Sequence, residues 1–444
     1  MSRPRFSTLF AAAVVALATL CGAAAVLLDN ASTRSAGAKT VVTVRLWDEQ
    51  VAAAYRESFA AFNLAHPDIE VRANVVAYAT YFDTLRTDVA GGGADDIFWL
   101  SNAYLAGYAD NGRLMAIDAA GADWEPSVVN QFTRGGTLWG VPQLTDAGIA
   151  VYYNADLLAA AGVKPAALAA LRWDPHAGTD TLRPLLAKLT RDSAGRAAGT
   201  PGFDERRIRQ WGYNAANDPQ GIYLNYLGSA GGVFQRGDEF AFANPAAVEA
   251  FSYLVALIND DHVAPPAADT NTNGDFSRNQ FLAGKMALFQ SGTYNLAAVA
   301  DQAAFEWGVA MLPYGPLGSR VSVTNGIAAV GNAASTHPEA VREVLAWLGS
   351  REGNQYLGRR GAAIPAVLSA QRVYFDYWTH RGIDVTPFFA VLAGPRIPAP
   401  GGGEGFPAGN QAIKPYFDEM FLGRTDVATT LRRAQDAANA AARR

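Results

Sequence analysis

Three stretches of this chain end an apolar, β-rich run in side chains that can hydrogen-bond: Trp47-Asp48-Glu49, Trp99-Leu100-Ser101-Asn102 and Tyr152-Tyr153-Asn154. Indole and phenol rings cover flat C–H faces, while carboxylates, amides and hydroxyls bind at an edge. Together they suit a ligand with apolar faces and hydroxyl edges, and a ligand amine would add a charge-assisted bond to Asp48 or Glu49. Open α/β sheets bind ligands beyond the carboxyl ends of their strands. Trp47, Asp48, Glu49, Trp99, Ser101, Asn102, Tyr152 and Asn154 are therefore candidate contacts. Each also has a structural reading. Asp48 or Glu49 could cap the following helix, Trp99 could continue a core, and Ser101 and Asn102 could cap the next helix.

Further candidates follow the same chemistry. Tyr213 and Asn217 cluster ahead of a helix expected at Tyr223–Leu227. In Ser291-Gly292-Thr293-Tyr294, a glycine flanked by hydroxyls permits close backbone approach. Asn325, within Thr324-Asn325-Gly326, and Asn410 are weaker versions that could be simple turns. The run Asp269 to Asp275 imitates the first half of a calcium loop, but Gln280 stands where a bidentate glutamate is needed. It reads as an Asx-rich loop. The five histidines are scattered, and no nucleophile–histidine–acid set, metal spacing or phosphate loop is apparent. No cofactor or metal is expected.

The elements that must hold these residues are legible. Val41–Trp47 reads as a strand, followed by a helix with Val51, Tyr55, Phe59 and Phe62 on one stripe and a stop at His66-Pro67. Ile69–Val76 is a second strand. Tyr81, Leu85 and Val89 mark a helix ending at Gly91-Gly92-Gly93, and Ile97–Leu100 is a short, wholly apolar strand. This rhythm predicts an open, mostly parallel α/β sheet. Later, Leu138–Pro142, Ile149–Tyr153, Trp307–Pro313 and Val321–Val330 read as strands. Thr336 with Pro338 and Glu339 reads as a capping box. Gly394 to Gly409 is too rich in Pro and Gly for regular structure, and a last helix spans Thr425–Ala442.

At 444 residues the chain exceeds one ordinary core, so two lobes are expected. Half the residues are hydrophobic and 17% charged, with a net charge of −5. That profile is globular, and without a basic cluster it argues against nucleic acid. Arg3 and Arg5 precede an uncharged run from Ser7 to Leu28, long enough to span a bilayer. It reads as an export signal, after which the single cysteine, Cys21, is lipidated or the segment stays as an anchor. Either outcome tethers the protein on the extracytoplasmic face of the membrane. The expected layout is 1–28 leader, 29–39 tether, 40–147 and 292–335 lobe 1, and 148–291 and 336–444 lobe 2.

Five landmarks, VTVRLWD, AGGGADD-IFWLS, GVPQLTDAGIAVYYN, FLAGKMALFQSGTYN and PEAVREVLAWLGSREGNQYL, occur in an order that resembles family 1 of the solute-binding proteins of bacterial ABC importers. This is a carbohydrate-binding family, and the likeness is greatest to its mycobacterial Usp-type sugar-binding lipoproteins. The resemblance covers nearly the whole mature chain. It implies a two-lobed periplasmic-binding-protein type II-like α/β fold with hinge segments, a carbohydrate held between the lobes, and delivery to a membrane permease by a monomer. An amino sugar or small oligosaccharide is the implied cargo. The family also often presents an aromatic at a helix start such as Tyr81, and places the Ser291–Tyr294 corner at cleft and hinge. A secreted glycoside hydrolase is the competing reading, with Asp48, Glu49 and Asp146 as carboxylates. Adjacent acids at a strand end point apart, however, and hydrolysis needs two carboxyls about 5–10 Å from each other.

Overall fold

The structure is a computed structural model that describes residues 39–443; Cys21, the leader and nearly all of the 29–39 tether lie outside the described residues. Among the described residues, no helix is long and apolar enough to cross a membrane.

The first lobe is built on a six-stranded sheet. Thr40–Leu46 pairs in parallel with both Ile69–Val75 and Ile97–Ser101. Gly326–Gly331 then runs antiparallel between Ile97–Ser101 and Val141–Thr145, and Ile364–Pro365 closes the edge against Val141–Thr145. The sheet is thus mixed, where the rhythm of the first hundred residues predicted a mostly parallel one. The reason is connectivity. Gly326–Gly331 returns from the other lobe and enters where Ile97–Ser101 ends, so it must run the opposite way. Leu46, Ser101 and Thr145 consequently finish on one side of the lobe.

Local rules place the helices. Asp48 caps Glu49–Ala65, its Oδ1 accepting from the backbone N–H of Gln50 at 2.8 Å and Val51 at 2.9 Å. Val51, Tyr55, Phe59 and Phe62 are all buried beneath it, as their spacing requires. The next helix, Tyr78–Gly91, stops on Gly92 with φ 75°, a left-handed cap open to glycine. A buried polar chain ties this lobe together. Trp99 Nε1 donates to Tyr55 Oη at 3.1 Å, Tyr55 Oη donates to Gln143 Oε1 at 2.6 Å, and Asn354 Nδ2 donates to the Gln143 carbonyl at 3.0 Å. With every partner supplied internally, such a network fixes one packing arrangement.

The second lobe surrounds an antiparallel sheet of Leu288–Ser291, Ala150–Asn154 and Trp307–Met311. Its large core draws on residues between Ile149 and Val323 and again between Val391 and Ala438. The helices Pro338–Leu348 and Arg351–Arg359 bury Val341, Val344, Leu345, Leu348 and Leu357 in the first lobe instead. Leu296 and Val299 share a junction core with Tyr152, Trp378 and Phe388. The lobe limits expected at 292, 335 and 336 therefore shift. An amphipathic stripe shows that a helix is buried without showing against which sheet.

Two other expectations change. Pro338–Leu348 has His337 at its cap with no side-chain capping bond, so Thr336 forms no capping box. Within the Pro/Gly-rich stretch, Arg396–Pro398 pairs in parallel with Ser322–Thr324 and a helix begins at Phe406. A partner strand supplied by tertiary structure overrode weak local propensity. The strands Ser322–Thr324 and Gly326–Gly331, and the final helix Val427–Ala442, match their predicted places.

The chain passes between lobes near residues 145–150, 324–326 and 365–388, and these passages pack on each other. Asp146 N donates to the Asn325 carbonyl at 3.0 Å, Gly148 N to the Phe388 carbonyl at 2.8 Å, and Ile149 N to Ser322 Oγ at 2.8 Å. A Cβ on Gly148 would collide with Val391 Cγ1 and lie 2.9 Å from the Phe388 carbonyl oxygen. Overpacking of this kind costs about 1–3 kcal/mol. Gly148→Ala should therefore lower the midpoint of thermal unfolding by several degrees. Gly178→Ala, at an exposed position with nothing within 4 Å, should leave it within about one degree.

Candidate functional site

A cavity of about 650 Å³ lies between the lobes, at the carboxyl ends of the first lobe's strands. Its first wall is aromatic. Trp47 is the hub, with ring centroids 5.7 Å from Tyr78, 5.7 Å from Phe82 and 5.0 Å from Trp99. Phe82 stacks on Tyr104 at 3.8 Å and 6°. Edge-to-face and stacked pairs each add about 0.5–1.5 kcal/mol beyond area burial, so this wall is pre-formed. Tyr78 is 65% exposed to the water of the cleft; surrounding protein, and then the charge of Asp218, raise the pKa of its hydroxyl.

The facing wall is polar and comes from the second lobe and the crossings. It includes Asn214, Asn217, Asp218, Gln220, Ser291, Thr293 and Tyr294, with Asn325 and Asp146 at the crossing. A buried amide positions much of it. Gln290 Nε2 donates to the Gly221 carbonyl at 2.7 Å, its Oε1 accepts from Tyr213 Oη, and its backbone exchanges two hydrogen bonds with the Asn214 side chain at 2.7 and 2.9 Å. This holds the turn in which Asp218 caps Pro219–Tyr223 by accepting from Gly221 N at 2.9 Å.

Four carboxylates border the cavity, Asp275 at its rim and Asp48, Asp146 and Asp218 deeper in it, and loss of hydration raises the pKa of these last three. For Asp48 and Asp218, backbone N–H donors partly offset that rise. Asp146 is pushed up to about 7 by burial, against one lowering hydrogen bond from Gln220 Nε2 at 2.6 Å. At the rim Arg278 is paired with Asp275 at 2.9 Å. The cavity thus offers rings on one side and mainly acceptors on the other, which suits a donor-rich ligand with an apolar face.

The structure brings most of the predicted residues to this cavity: Trp47, Asp48, Trp99, Ser101, Asn102, Asn217, Ser291, Thr293, Tyr294, Asn325 and Asn410 all border it. Asp48 does so while also capping its helix, so its two readings are compatible. Ser101 sits at a cap position but its hydroxyl makes no capping bond. Trp99 reaches the lining although only 1% of its surface is exposed.

Six other candidates lie elsewhere. Tyr81 is fully buried, and its hydroxyl bridges the carbonyls of Trp99 and Arg45 at 2.9 and 3.2 Å. It belongs to the same inward stripe as Leu85, which cannot also face the cleft. Tyr152 is buried in the junction core with its hydroxyl on the Gly292 carbonyl at 2.8 Å, so Gly292 contributes a backbone acceptor to the core. Asn154 caps Ala155–Ala160 by accepting from Leu157 N at 3.0 Å. Tyr213 lies behind the wall as part of the Gln290 network. Glu49 is exposed and faces Arg56 at 3.6 Å.

Tyr78, Phe82, Tyr104, Asp218, Gln220 and Phe406 were not anticipated at the site. Tyr78 and Phe82 are four apart on one helix and flank the buried stripe, a spacing visible in the sequence. Asp218-Pro219 is a readable cap followed by proline. The loop from Asp269 is partly helical, at Ala267–Thr270, with Thr270, Gly274 and Asp275 on the cavity rim. No group of three or more metal-ligating side chains converges among the described residues.

The family of bacterial extracellular solute-binding proteins matches residues 47–355, and the chain belongs to it. Among solved structures it is similar to UspC of M. tuberculosis, at 77% identity over 90% of this chain and 100% of that one, with a TM-score of 0.72. It is also similar to Lmo0181 of Listeria monocytogenes, an ABC substrate-binding protein in complex with cycloalternan. That match has 20% identity, covers 90% of this chain and 98% of that one, and gives a TM-score of 0.75. An ABC transporter-binding protein of Deinococcus radiodurans is 28% identical over 270 residues, 60% of this chain and 59% of its own.

Asp146 gives the site a pH dependence. Its folded-state pKa, about 7, lies above the unfolded value near 3.9. The folded protein therefore binds the extra proton across that window, and stability falls as pH rises through it. Asp146→Asn should match the parent's melting temperature near pH 4 and exceed it at pH 8, as read by thermal unfolding at both values.

Proposed function

We propose that this protein is the substrate-binding subunit of an ABC importer, capturing a carbohydrate between its lobes and passing it unchanged to a membrane permease. The observation that carries the reading is a cavity between the lobes that joins an aromatic wall, mainly from the first lobe, to carboxylates and amides drawn from both. A pyranose ring presents a C–H face and a rim of hydroxyl donors. Trp47, Tyr78 and Tyr294 would cover the face, and Asp48, Asn102, Asp146 and Asp218 would accept from the rim. The three carboxylates also favour an amino sugar, whose ammonium would gain charge-assisted bonds.

Membership of a family of extracellular solute-binding proteins supports a site of action outside the cytoplasm, and the tether we infer is Cys21 lipidation or a retained N-terminal helix. The hydrolase reading has no support in the family or its relatives, which are binding proteins.

Calorimetric titration with mono- and disaccharides, amino sugars included, should reveal a ligand with Kd near micromolar, roughly −8 kcal/mol. Heat or thermal stabilisation from none of them would remove the reading. With the ligand found, Tyr78→Ala should weaken binding about tenfold, ~1.4 kcal/mol, and lower unliganded stability by about 1 kcal/mol through the lost edge-to-face contact with Trp47.

A further inference from the structure

The Pro/Gly-rich segment after Arg396–Pro398 makes a contact that the hinge does not account for. Both of its ends are anchored in the second lobe. Arg396–Pro398 pairs with Ser322–Thr324 at the crossing, and Ala399 N donates to the Thr324 carbonyl at 3.3 Å. At the other end Gly405 is packed so tightly on the last helix that a Cβ would collide with the Ala442 carbonyl. Between these anchors, Gly401 to Glu404 lies against the first lobe's helix Asn102–Ala109. A Cβ on Gly401 would stand 3.0 Å from Ala103 Cα and N and 3.0 Å from Asn102 Nδ2. Glu404 Oε1 accepts from Asn111 Nδ2 at 2.8 Å.

Charge reinforces the contact. Arg134 of the first lobe pairs with Asp110 through two hydrogen bonds of 2.6 and 2.5 Å, and Glu404 and Asp238 of the second lobe add attraction to it. The segment is held down from its own side too, since Gly401 N donates to Gln235 Oε1 at 2.8 Å. It also forms part of the binding cavity, which Ala399, Pro400 and Asn102 all border. Asn102 Oδ1 is buried without a hydrogen-bond partner among the described residues, so the amide beneath the segment has an acceptor to offer a ligand.

We propose that Gly401–Gly405 is a strap latching the second lobe onto Asn102–Asn111 of the first, and that this latch governs ligand release separately from the hinge. The backbone of Gly401 is not in the left-handed region, so a side chain there meets its closest opposition from Ala103 and Asn102 of the first lobe rather than from backbone strain. That makes the position a selective probe. The proposal rests on the sugar-binding reading for its release rate, but the latch itself can be measured without ligand.

Two measurements test it on the full-length chain in detergent. In the first, spin labels are placed at Leu64→Cys and Leu317→Cys, exposed positions on the two lobes, in a Cys21→Ser background. Distances are then compared with and without Gly401→Val. The valine should shift the ligand-free distribution to longer separations; an unchanged distribution overturns the latch whether or not any sugar binds. In the second, stopped-flow exchange of the sugar found by calorimetry should show release about tenfold faster in Gly401→Val and two- to threefold faster in Glu404→Gln. Association should stay within twofold, and the Glu404 effect should fade with added salt. Release rates equal to the parent's, or association slowed as much as release is hastened, would overturn the proposal. A distance shift in a protein that binds no sugar would retain the latch and defeat the sugar reading.

Discussion

The cleft depends on close packing where the chain passes between lobes. A passage with no side chain at Gly148 fits under Val391 and Phe388, and the neighbouring backbone groups bond to Asn325, Phe388 and Ser322. Buried backbone polar groups must find partners, and here each passage supplies partners for another. A change in the angle between the lobes would therefore draw its torsion changes from these few residues. The same residues carry Asp146 and Asn325 into the cavity, so hinge and binding wall share one structure.

Away from the passages, two buried glutamines do comparable work. Gln143 connects Tyr55 and Trp99 behind the aromatic wall, and Gln290 connects Tyr213, Asn214 and Gly221 behind the polar wall. A buried amide left without partners costs about 1–3 kcal/mol per group, so alternative packings of either wall are disfavoured. Internal hydrogen bonds thus order both walls, and such ordering reduces the entropy lost on binding. Walls held in this way and joined by a few short passages suit a binding protein whose lobes close on a ligand.

The candidate site was partly legible because strand ends carry chemistry that a sequence displays. Trp47, Asp48, Ser101 and Asn102 follow apolar runs directly and reach the cavity. Tyr152, Asn154 and Tyr213 look the same in sequence but lie in cores or at a cap, because the side of a strand or turn that faces solvent depends on what packs against it. Tyr81 and Tyr78 make the point within one helix. Three residues apart, they differ by the direction in which the helix sits on the sheet, which places one beneath Trp99 and the other in the cleft.

By itself, the sequence determined the two-lobed α/β class, most of the strands, the stripes and stops of the long helices, and a polar-aromatic crevice. The two lobes were expected from chain length and from the family resemblance; the rest depends on hydrophobic period and turn chemistry, which act over a few residues. Only the tertiary structure decided the mixed sheet, the lobe to which Pro338–Leu348 belongs, the strand at Arg396–Pro398, the placing of Tyr78 and Asp218 on one cavity, and the meeting of Gly401 with Ala103. Those outcomes follow from contacts between residues up to about three hundred positions apart, and no local propensity encodes which distant surface a side chain will meet.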